Sequence, residues 1–144
     1  MKLREIMTTD VEVIRPEASV REAAEKMRKL DIGSLPVCDG DRLVGMITDR
    51  DITVRATAEG RDPETTLVRD HMSPEITYCF EDDPVEEAER IMEKKQIRRL
   101  PVLTREKQLS GIVALGDLAT KTGQIQQVGR TVREVSQPSE GAAV

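Results

Sequence analysis

The chain contains one sequence pattern written twice, and this duplication constrains the fold more than any other feature. An offset of 65 residues aligns Met7 with Met72, and it aligns residues 35–37 with residues 100–102, which are Leu-Pro-Val in both copies. A one-residue insertion near Gln108 raises the offset to 66. Identities at nearly constant spacing predict two copies of one structural unit. The other identities are Val20 with Val85, Ala23 with Ala88, Met27 with Met92, Ile32 with Ile97, Leu43 with Leu109, Gly45 with Gly111 and Asp51 with Asp117.

Each copy is predicted to open with a short strand and a helix. Residues 11–14 and 76–79 are rich in β-branched side chains, which favour extended structure. Residues 19–22 form a Ser-Val-Arg-Glu capping box, which predicts a helix start in the first copy. In the second copy Asp83 is the predicted N-cap, and Pro84 takes the first helical position.

Two strands and a closing helix complete each copy. The first of these strands contains a Pro, which is typical of an edge or entry position. Each copy therefore has the order β-α-β-β-α, and the predicted fold class is α+β. The predicted elements are strands at 32–38 and 97–103, strands at 43–48 and 109–114, and helices near 50–58 and 117–127.

The predicted domain organisation follows the duplication. A polar stretch with Gly and Pro at residues 59–64 separates the copies. We expect repeat 1 at 1–61, a linker at 62–68, repeat 2 at 69–129 and a loose tail at 130–144. A single three-stranded copy leaves apolar surface exposed, so we expect the copies to pack through their sheets. The remaining apolar helix faces predict a homodimer.

Composition disfavours several function classes. The net charge is −5, from 22 basic and 27 acidic residues, and the only aromatic residues are Tyr78 and Phe80. This balance disfavours nucleic-acid binding, which uses basic surfaces and aromatic stacking. No apolar run is long enough for a membrane span or a signal-peptide core, so we expect a cytoplasmic protein. Cys38 and Cys79 fit neither a disulfide framework nor a zinc motif, and we interpret both as buried apolar side chains.

The repeat resembles the cystathionine β-synthase (CBS) domain. The resemblance covers residues 4 to about 123 and depends on Leu-Pro-Val in each copy and on Gly-Met-Ile-Thr-Asp-Arg-Asp at residues 45–51. It implies a CBS pair, or Bateman module, with pseudo-twofold symmetry and a cleft on each side of the sheet interface. The chain looks like stand-alone bacterial or archaeal CBS pairs, including hypoxic-response proteins.

The resemblance also implies a nucleotide site in the first copy. The family motif is Gly, an apolar residue, any residue, Thr or Ser, any two residues and Asp, and residues 45–51 satisfy every position. It implies that Asp51 accepts hydrogen bonds from ribose hydroxyls and that Thr48 contacts ribose or phosphate. Arg50 is placed to reach a phosphate, which a helix N-terminus also attracts.

The second copy departs from this motif. Ala114 replaces the Thr or Ser, while Asp117 remains. Arg98 stands where family members often carry a basic residue, and Arg99 follows it. The first copy has Gly33 and Ser34 at the positions equivalent to Arg98 and Arg99. We therefore expect two unequal sites. The predicted nucleotide-binding residues are Gly33, Ser34, Leu35, Pro36, Thr48, Arg50, Asp51, Arg98, Arg99, Pro101, Ala114 and Asp117.

Each of these residues also has a purely structural interpretation. Thr48 and Asp51 have nearly the capping-box spacing and could simply begin a helix. For Asp117, nucleotide contact is the favoured interpretation, because the second repeat keeps this residue although it lacks the hydroxyl needed to complete a reciprocal capping box. Arg98 could lie in solvent after a helix, and residues 35–36 could belong to the core, with only their backbone available to adenine.

We expect a regulatory module that senses an adenosine-containing ligand and modulates a separate protein partner. AMP or ATP is the favoured ligand, and ADP, NAD and S-adenosylmethionine share the same adenine and ribose contacts. No cofactor, metal site or catalytic activity is expected, because none of the common catalytic motifs is present. The alternative is a structural dimerisation module with degenerate, empty clefts.

Overall fold

The computed structural model describes residues 1–138, with Ile125 described by its backbone alone. Residues 139–144, the end of the predicted loose tail, lie outside the described residues. The chain forms two compact units. The first-repeat unit contains Glu12–Ile76 and Lys107–Leu109, and the second-repeat unit contains Met1–Val11, Thr77–Glu106 and the residues from Ser110 onward.

The first-repeat unit is a helix, an antiparallel hairpin and a short wide helix. The predicted cap of the first helix is confirmed, because the Ser19 hydroxyl accepts the Glu22 N–H at 3.1 Å. The closing helix has π geometry, since the Ala58 N–H donates to the Thr53 carbonyl, five residues earlier, at 3.0 Å. The elements are α1 (Val20–Leu30), β1 (Ser34–Asp39), β2 (Arg42–Thr48) and the π-helix (Asp51–Thr57).

The second-repeat unit has a three-stranded sheet and three helices. The strand order is β3-β4-β5, and β3 is parallel to β4. Both units combine helices with small sheets, which confirms the α+β class. The elements are β3 (Cys79–Phe80), α2 (Val85–Lys95), β4 (Arg99–Leu103), β5 (Leu109–Ala114), α3 (Leu115–Lys121) and α4 (Ile125–Val135).

Each unit has its own apolar core, built from the helical stripe and the inward-facing strand residues. Val20, Leu35 and Ile47 are fully or almost fully buried in the first-repeat unit, as are Met92 and Leu100 in the second. The helices thus bury the apolar face that their sequence spacing predicts. Neither core cluster contains an aromatic side chain, so the stability of both must come from close packing of aliphatic groups.

Three predicted local structures are wrong. The strand predicted over residues 76–79 is confined to Cys79–Phe80. Residues 11–14 do not form a strand, because only Ile14 makes a bridge, to Val37 of β1. Asp83 does not cap α2, because its carboxylate instead accepts the Phe80 N–H at 2.9 Å. Pro84 is the N-cap residue and α2 begins at Val85, one residue later than predicted.

The C-terminal part of the chain also differs from the prediction. The helix expected over residues 117–127 is two helices, which are separated near Gly123, where φ is +71°. Residues 130–135, predicted as loose tail, belong to α4. Val128, Thr131 and Val135 are buried at spacings of three and four residues, so α4 packs as an amphipathic helix.

The segment that opens each repeat belongs to the unit formed by the other repeat. Ser73, in a segment that opens repeat 2, exchanges two backbone hydrogen bonds with Met46 of β2, at 2.8 and 3.0 Å. Thr8, in the segment that opens repeat 1, exchanges the equivalent pair with Ile112 of β5, at 2.8 and 2.9 Å. These positions are related by the sequence offsets of 65 and 66. The repeat symmetry therefore extends to segments whose partner could not be read from the sequence.

A glycine allows each exchanged segment to approach its strand. A Cβ at Gly111 would lie 2.6 Å from the Thr8 carbonyl oxygen, and a Cβ at Gly45 would lie 2.9 Å from the Ser73 carbonyl oxygen. Both distances are shorter than an ordinary van der Waals contact. The glycine in each copy is therefore required by packing, whatever its part in ligand binding.

We expect Gly111→Ala to destabilise the protein by about 1–3 kcal/mol, because the new methyl group meets backbone that cannot move freely. Gly116→Ala in α3 is the matched control, since nothing lies within 4 Å of its Cβ position. Alanine there should be neutral or stabilising by up to about 1 kcal/mol through helix propensity. Urea unfolding measures both, and equal stabilities for the two variants would contradict the packing role of Gly111.

Candidate functional site

The predicted residues of the first repeat meet where β1 begins and β2 ends. Ser34 pairs with Thr48 across the hairpin, and the Asp49 N–H donates to the Gly33 carbonyl at 2.9 Å. A Cβ at Gly33 would lie 3.0 Å from the carboxylate of Asp49, an exposed side chain. The hairpin thus brings two distant sequence segments beside the start of the π-helix. We call Gly33, Ser34, Thr48, Arg50 and Asp51 the first-repeat cluster.

Thr48 and Asp51 bond to each other reciprocally. The Asp51 N–H donates to Thr48 Oγ1 at 3.1 Å, and the Thr48 N–H donates to Asp51 Oδ2 at 2.9 Å. This is the capping-box interaction that the sequence left open. Each side chain keeps hydrogen-bonding capacity. The Thr48 hydroxyl can still donate, and Asp51 Oδ1 lies 4.0 Å from Arg55 Nε, which is too long for a hydrogen bond.

The second repeat reproduces half of this interaction. The Ala114 N–H donates to Asp117 Oδ2 at 2.8 Å, although Ala114 has no hydroxyl to return the bond. As the sequence predicts, the reciprocal bond does not form, but Asp117 still accepts the backbone N–H at the helix start, so a structural role accounts for it better than the sequence indicates. Asp117 Oδ1 also forms an ion pair with Lys121 Nζ at 3.1 Å. Asp117 consequently has less free acceptor capacity than Asp51.

Arg98 and Arg99 lie beside the start of α3. The Arg98 carbonyl accepts the Leu115 N–H at 2.8 Å, which is the equivalent of the bond between Gly33 and Asp49. Both arginines are exposed, and neither forms an ion pair within residues 1–138. Two uncompensated positive charges therefore border the helix start. We call Arg98, Arg99, Ala114 and Asp117 the second-repeat cluster.

Arg50 and the apolar candidates have contrasting environments. Arg50 is exposed, its backbone N–H donates to Asp49 Oδ1 at 2.8 Å, and its guanidinium forms no ion pair with the described residues. Leu35 is fully buried in the core, so only its backbone could reach a ligand. Pro36 and Pro101 are buried as well. The structure therefore assigns core packing to the apolar candidates and leaves the polar ones accessible.

A cavity of about 670 Å³ lies beyond the π-helix, and none of its lining residues belongs to the predicted set. Its wall includes His71, which is 8% exposed, and Arg55, which approaches both the His71 carbonyl and Asp51. A single histidine without a neighbouring motif carried no sequence signal for this cavity. The other lining residues are Glu59, Gly60, Arg61, Asp62, Thr65, Thr66 and Asp70.

Cys38 and Cys79 are buried free thiols, as predicted. Burial, reinforced by Asp41, raises the pKa of Cys38 to about 11. Burial raises the pKa of Cys79 to about 12, with a further contribution from Asp83. Both thiols are therefore protonated near neutral pH and are poor nucleophiles or metal ligands.

Metal-binding groups and membrane-spanning helices are both absent from the described residues. Within residues 1–138, no three His, Cys, Asp or Glu side chains are grouped so that they could hold a metal ion. None of the helices in that part of the chain has the length and apolar character needed to cross a membrane.

The chain is similar to known proteins over most of its length. The family model for the CBS domain matches residues 3–56 and 68–122. CBS domain-containing protein YhcV of Bacillus subtilis is 39% identical over 134 residues, which cover 93% of this chain and 94% of that protein.

Two solved structures have the same fold. Hypoxic Response Protein I, crystallised with two coordinated zinc ions, aligns with a TM-score of 0.75 and 38% identity over 83% of this chain and 97% of that one. The hexameric CBS-CP12 protein from bloom-forming cyanobacteria aligns with a TM-score of 0.69 and 31% identity over 84% of this chain and 67% of that one. Each repeat thus matches the family model separately, and the chain belongs to the CBS domain family as a tandem pair of CBS domains.

Proposed function

We propose that this CBS pair is a regulatory module that binds an adenosine-containing ligand, with AMP or ATP favoured. The observation that carries the proposal is the first-repeat cluster, in which a hydroxyl, a carboxylate and a helix start lie at one end of a hairpin. These are the groups that a ribose phosphate requires. Binding, rather than catalysis, is the activity that this chemistry supports.

Each group in the first-repeat cluster has a defined part in the proposal. Asp51 keeps Oδ1 for the vicinal ribose hydroxyls, because its Oδ2 already accepts the Thr48 N–H. The Thr48 hydroxyl donates to a ribose or phosphate oxygen. Arg50, exposed and without an ion pair in the described residues, contacts phosphate. Because the reciprocal bonds fix both side chains before ligand arrives, little conformational entropy is lost on binding.

The second-repeat cluster supports a different and weaker site. Arg98 and Arg99 offer two exposed positive charges for phosphate. Asp117 is engaged by both the Ala114 N–H and Lys121, so it is a poorer acceptor for ribose hydroxyls. Ala114 removes the hydroxyl altogether. We therefore propose that one ligand binds more tightly at the first-repeat cluster.

Regulation requires a second protein or a second copy of this chain. A ligand transmits a signal only if it binds two conformations with different affinities, and a partner reads the difference. We propose a homodimer, and the hexameric state of the similar CBS-CP12 protein supports self-association. Hypoxic Response Protein I was crystallised with two zinc ions, and we assign no metal to the present chain.

A structural dimerisation module is the second candidate. The reciprocal bonds between Thr48 and Asp51 favour it, because they account for both residues without any ligand. Asp117 is similarly explained by Ala114 and Lys121. The two candidates differ in whether the remaining acceptor of Asp51 is used, which binding measurements decide.

We expect calorimetric titration of the wild type to detect at least one of AMP, ADP, ATP, NAD and S-adenosylmethionine. Asp51→Asn should weaken the tighter site tenfold to a hundredfold, because a hydrogen bond to a charged group contributes about 1.5–3 kcal/mol. Asp117→Asn is the matched control in the other repeat and should leave the tighter site unchanged. If no ligand of the panel binds, the sensing proposal fails, and equal affinities for Asp51→Asn and wild type would refute the site.

Exchanging the hydroxyl between repeats separates the two candidates. Thr48→Ala removes the acceptor of the Asp51 N–H and should cost about 1 kcal/mol of stability, while Ala114→Thr should recover a similar amount in the second repeat. Thermal unfolding measures both shifts. A ligand-sensing module should also lose affinity at the first site and gain it at the second. Shifts in stability without ligand binding by any of the proteins would favour the structural candidate, whereas binding with unchanged affinities would refute the assignment of the site.

A further inference from the structure

Helix α4 is attached to α2 by polar contacts. Gln127 Nε2 donates to Glu89 Oε2, and Thr131 Oγ1 donates to Glu93 Oε1 at 2.8 Å. Both contacts join residues that are 38 positions apart, so the two helices run in the same direction. Val128 and Val135 bury their side chains in the same core. The docked face of α4 is thus partly apolar and partly anchored to carboxylates of α2.

Glu89 lies at the centre of this contact with an incomplete set of partners. It is 2% exposed, and its Oε1 atom is buried without a hydrogen-bond partner among the described residues. Gln124, three residues before Gln127, also has a buried oxygen without a partner. Burying an unpaired acceptor is unfavourable, and burying an unpaired charge is more unfavourable still. The charged carboxylate form of Glu89 is therefore poorly suited to this site, whereas the protonated acid is neutral and has an O–H donor.

The surrounding charges act in the same direction. Burial, followed by the nearby carboxylates of Glu86 and Glu93, raises the pKa of Glu89, while the Gln127 bond and Arg130 lower it less. Arg130 of α4 is 3.6 Å from Glu93 Oε2 and so compensates Glu93 directly.

Charged residues on the other elements that pack on α2 do not compensate the negative charges around Glu89. On α3, Asp117 and Lys121 form an ion pair with each other. On β4, the charged residue Arg99 is exposed. No positive charge in the described residues forms an ion pair with Glu89.

We propose that protonation of Glu89 stabilises the docked state of α4, and that α4 is a pH-sensitive strap that opens from α2 more readily when Glu89 is ionised. The repeat supplies an internal comparison, because Ala24 occupies the position of Glu89 on α1 and is exposed. The carboxylic acid occurs on the helix that α4 covers. Release of α4 would uncover Glu89, Thr131 and the adjoining core residues of α2.

The direction of the pH dependence follows from the raised pKa. Docking is most favourable below the ordinary pKa of a glutamate, about 4.3, because docked and released states are then both protonated. Docking of α4 weakens as the pH rises toward the raised pKa that Glu89 has in the docked state. One linked proton changes the opening equilibrium about tenfold per pH unit across that interval.

Hydrogen–deuterium exchange of the α4 amides in the full chain tests the strap. After correction for intrinsic exchange, wild-type α4 should open about tenfold more per pH unit above the ordinary glutamate range, then level off. Glu89→Gln, which is neutral at every pH, should remove this slope. Glu87→Gln is the matched control on the same helix, because Glu87 pairs with Arg90 at 2.6 Å and should keep the wild-type slope after substitution.

A carbon-13 titration of the Glu89 carboxyl group provides the second readout. Its midpoint should lie above the ordinary glutamate value and coincide with the levelling of α4 opening. An ordinary or lowered midpoint would overturn the proposal and indicate that a buried water or cation partners Glu89. The proposal is equally overturned if wild-type opening does not depend on pH, or if Glu89→Gln keeps the slope.

Discussion

The fold of each unit depends on two backbone hydrogen bonds that join a strand to a segment from elsewhere in the chain. Met46 pairs with Ser73, and Ile112 pairs with Thr8. The strand position directly before each paired residue has no room for a side chain. Glycine occupies it in both units, as Gly45 before Met46 and Gly111 before Ile112. The exchanged segments continue to the helix starts, where the Val20 N–H bonds to the Thr66 carbonyl. They therefore hold both the sheet and the helices in register.

The same scaffold determines where polar chemistry collects. In each unit the carbonyl before the first hairpin strand accepts an N–H at the following helix start, which brings Gly33 beside Asp49 and Arg98 beside Leu115. Backbone geometry is thus shared by the two units, while side chains differ. Asp51 and Asp117 stabilise these helix starts, and a residue with a structural bond can still accept further donors. Structural and ligand-binding parts are therefore compatible in Asp51.

Much of the secondary structure could be predicted because it depends on local chemistry. The Ser19 cap, the apolar stripes of α1 and α2, and the strands ending at Thr48 and Ala114 follow from neighbouring residues. The errors arose where distant contacts override local preference. Residues 11–14 have strand-forming side chains but one bridging partner, and Asp83 bonds backwards to Phe80 rather than forward into the helix. Helix α4 was missed because its stability comes from packing on α2.

The sequence by itself determined the duplication, the α+β class, the family and the identity of the polar residues in each cluster, because all of these are written in local patterns and fixed offsets. It also determined that the two clusters differ, since Ala114 replaces Thr48 and Arg98 replaces Gly33. Only the tertiary structure decided which segment completes which unit, which oxygen of Asp51 accepts the Thr48 N–H, and that Glu89 is buried. Those outcomes depend on desolvation and on hydrogen bonds between residues far apart in the chain, and no local pattern encodes them.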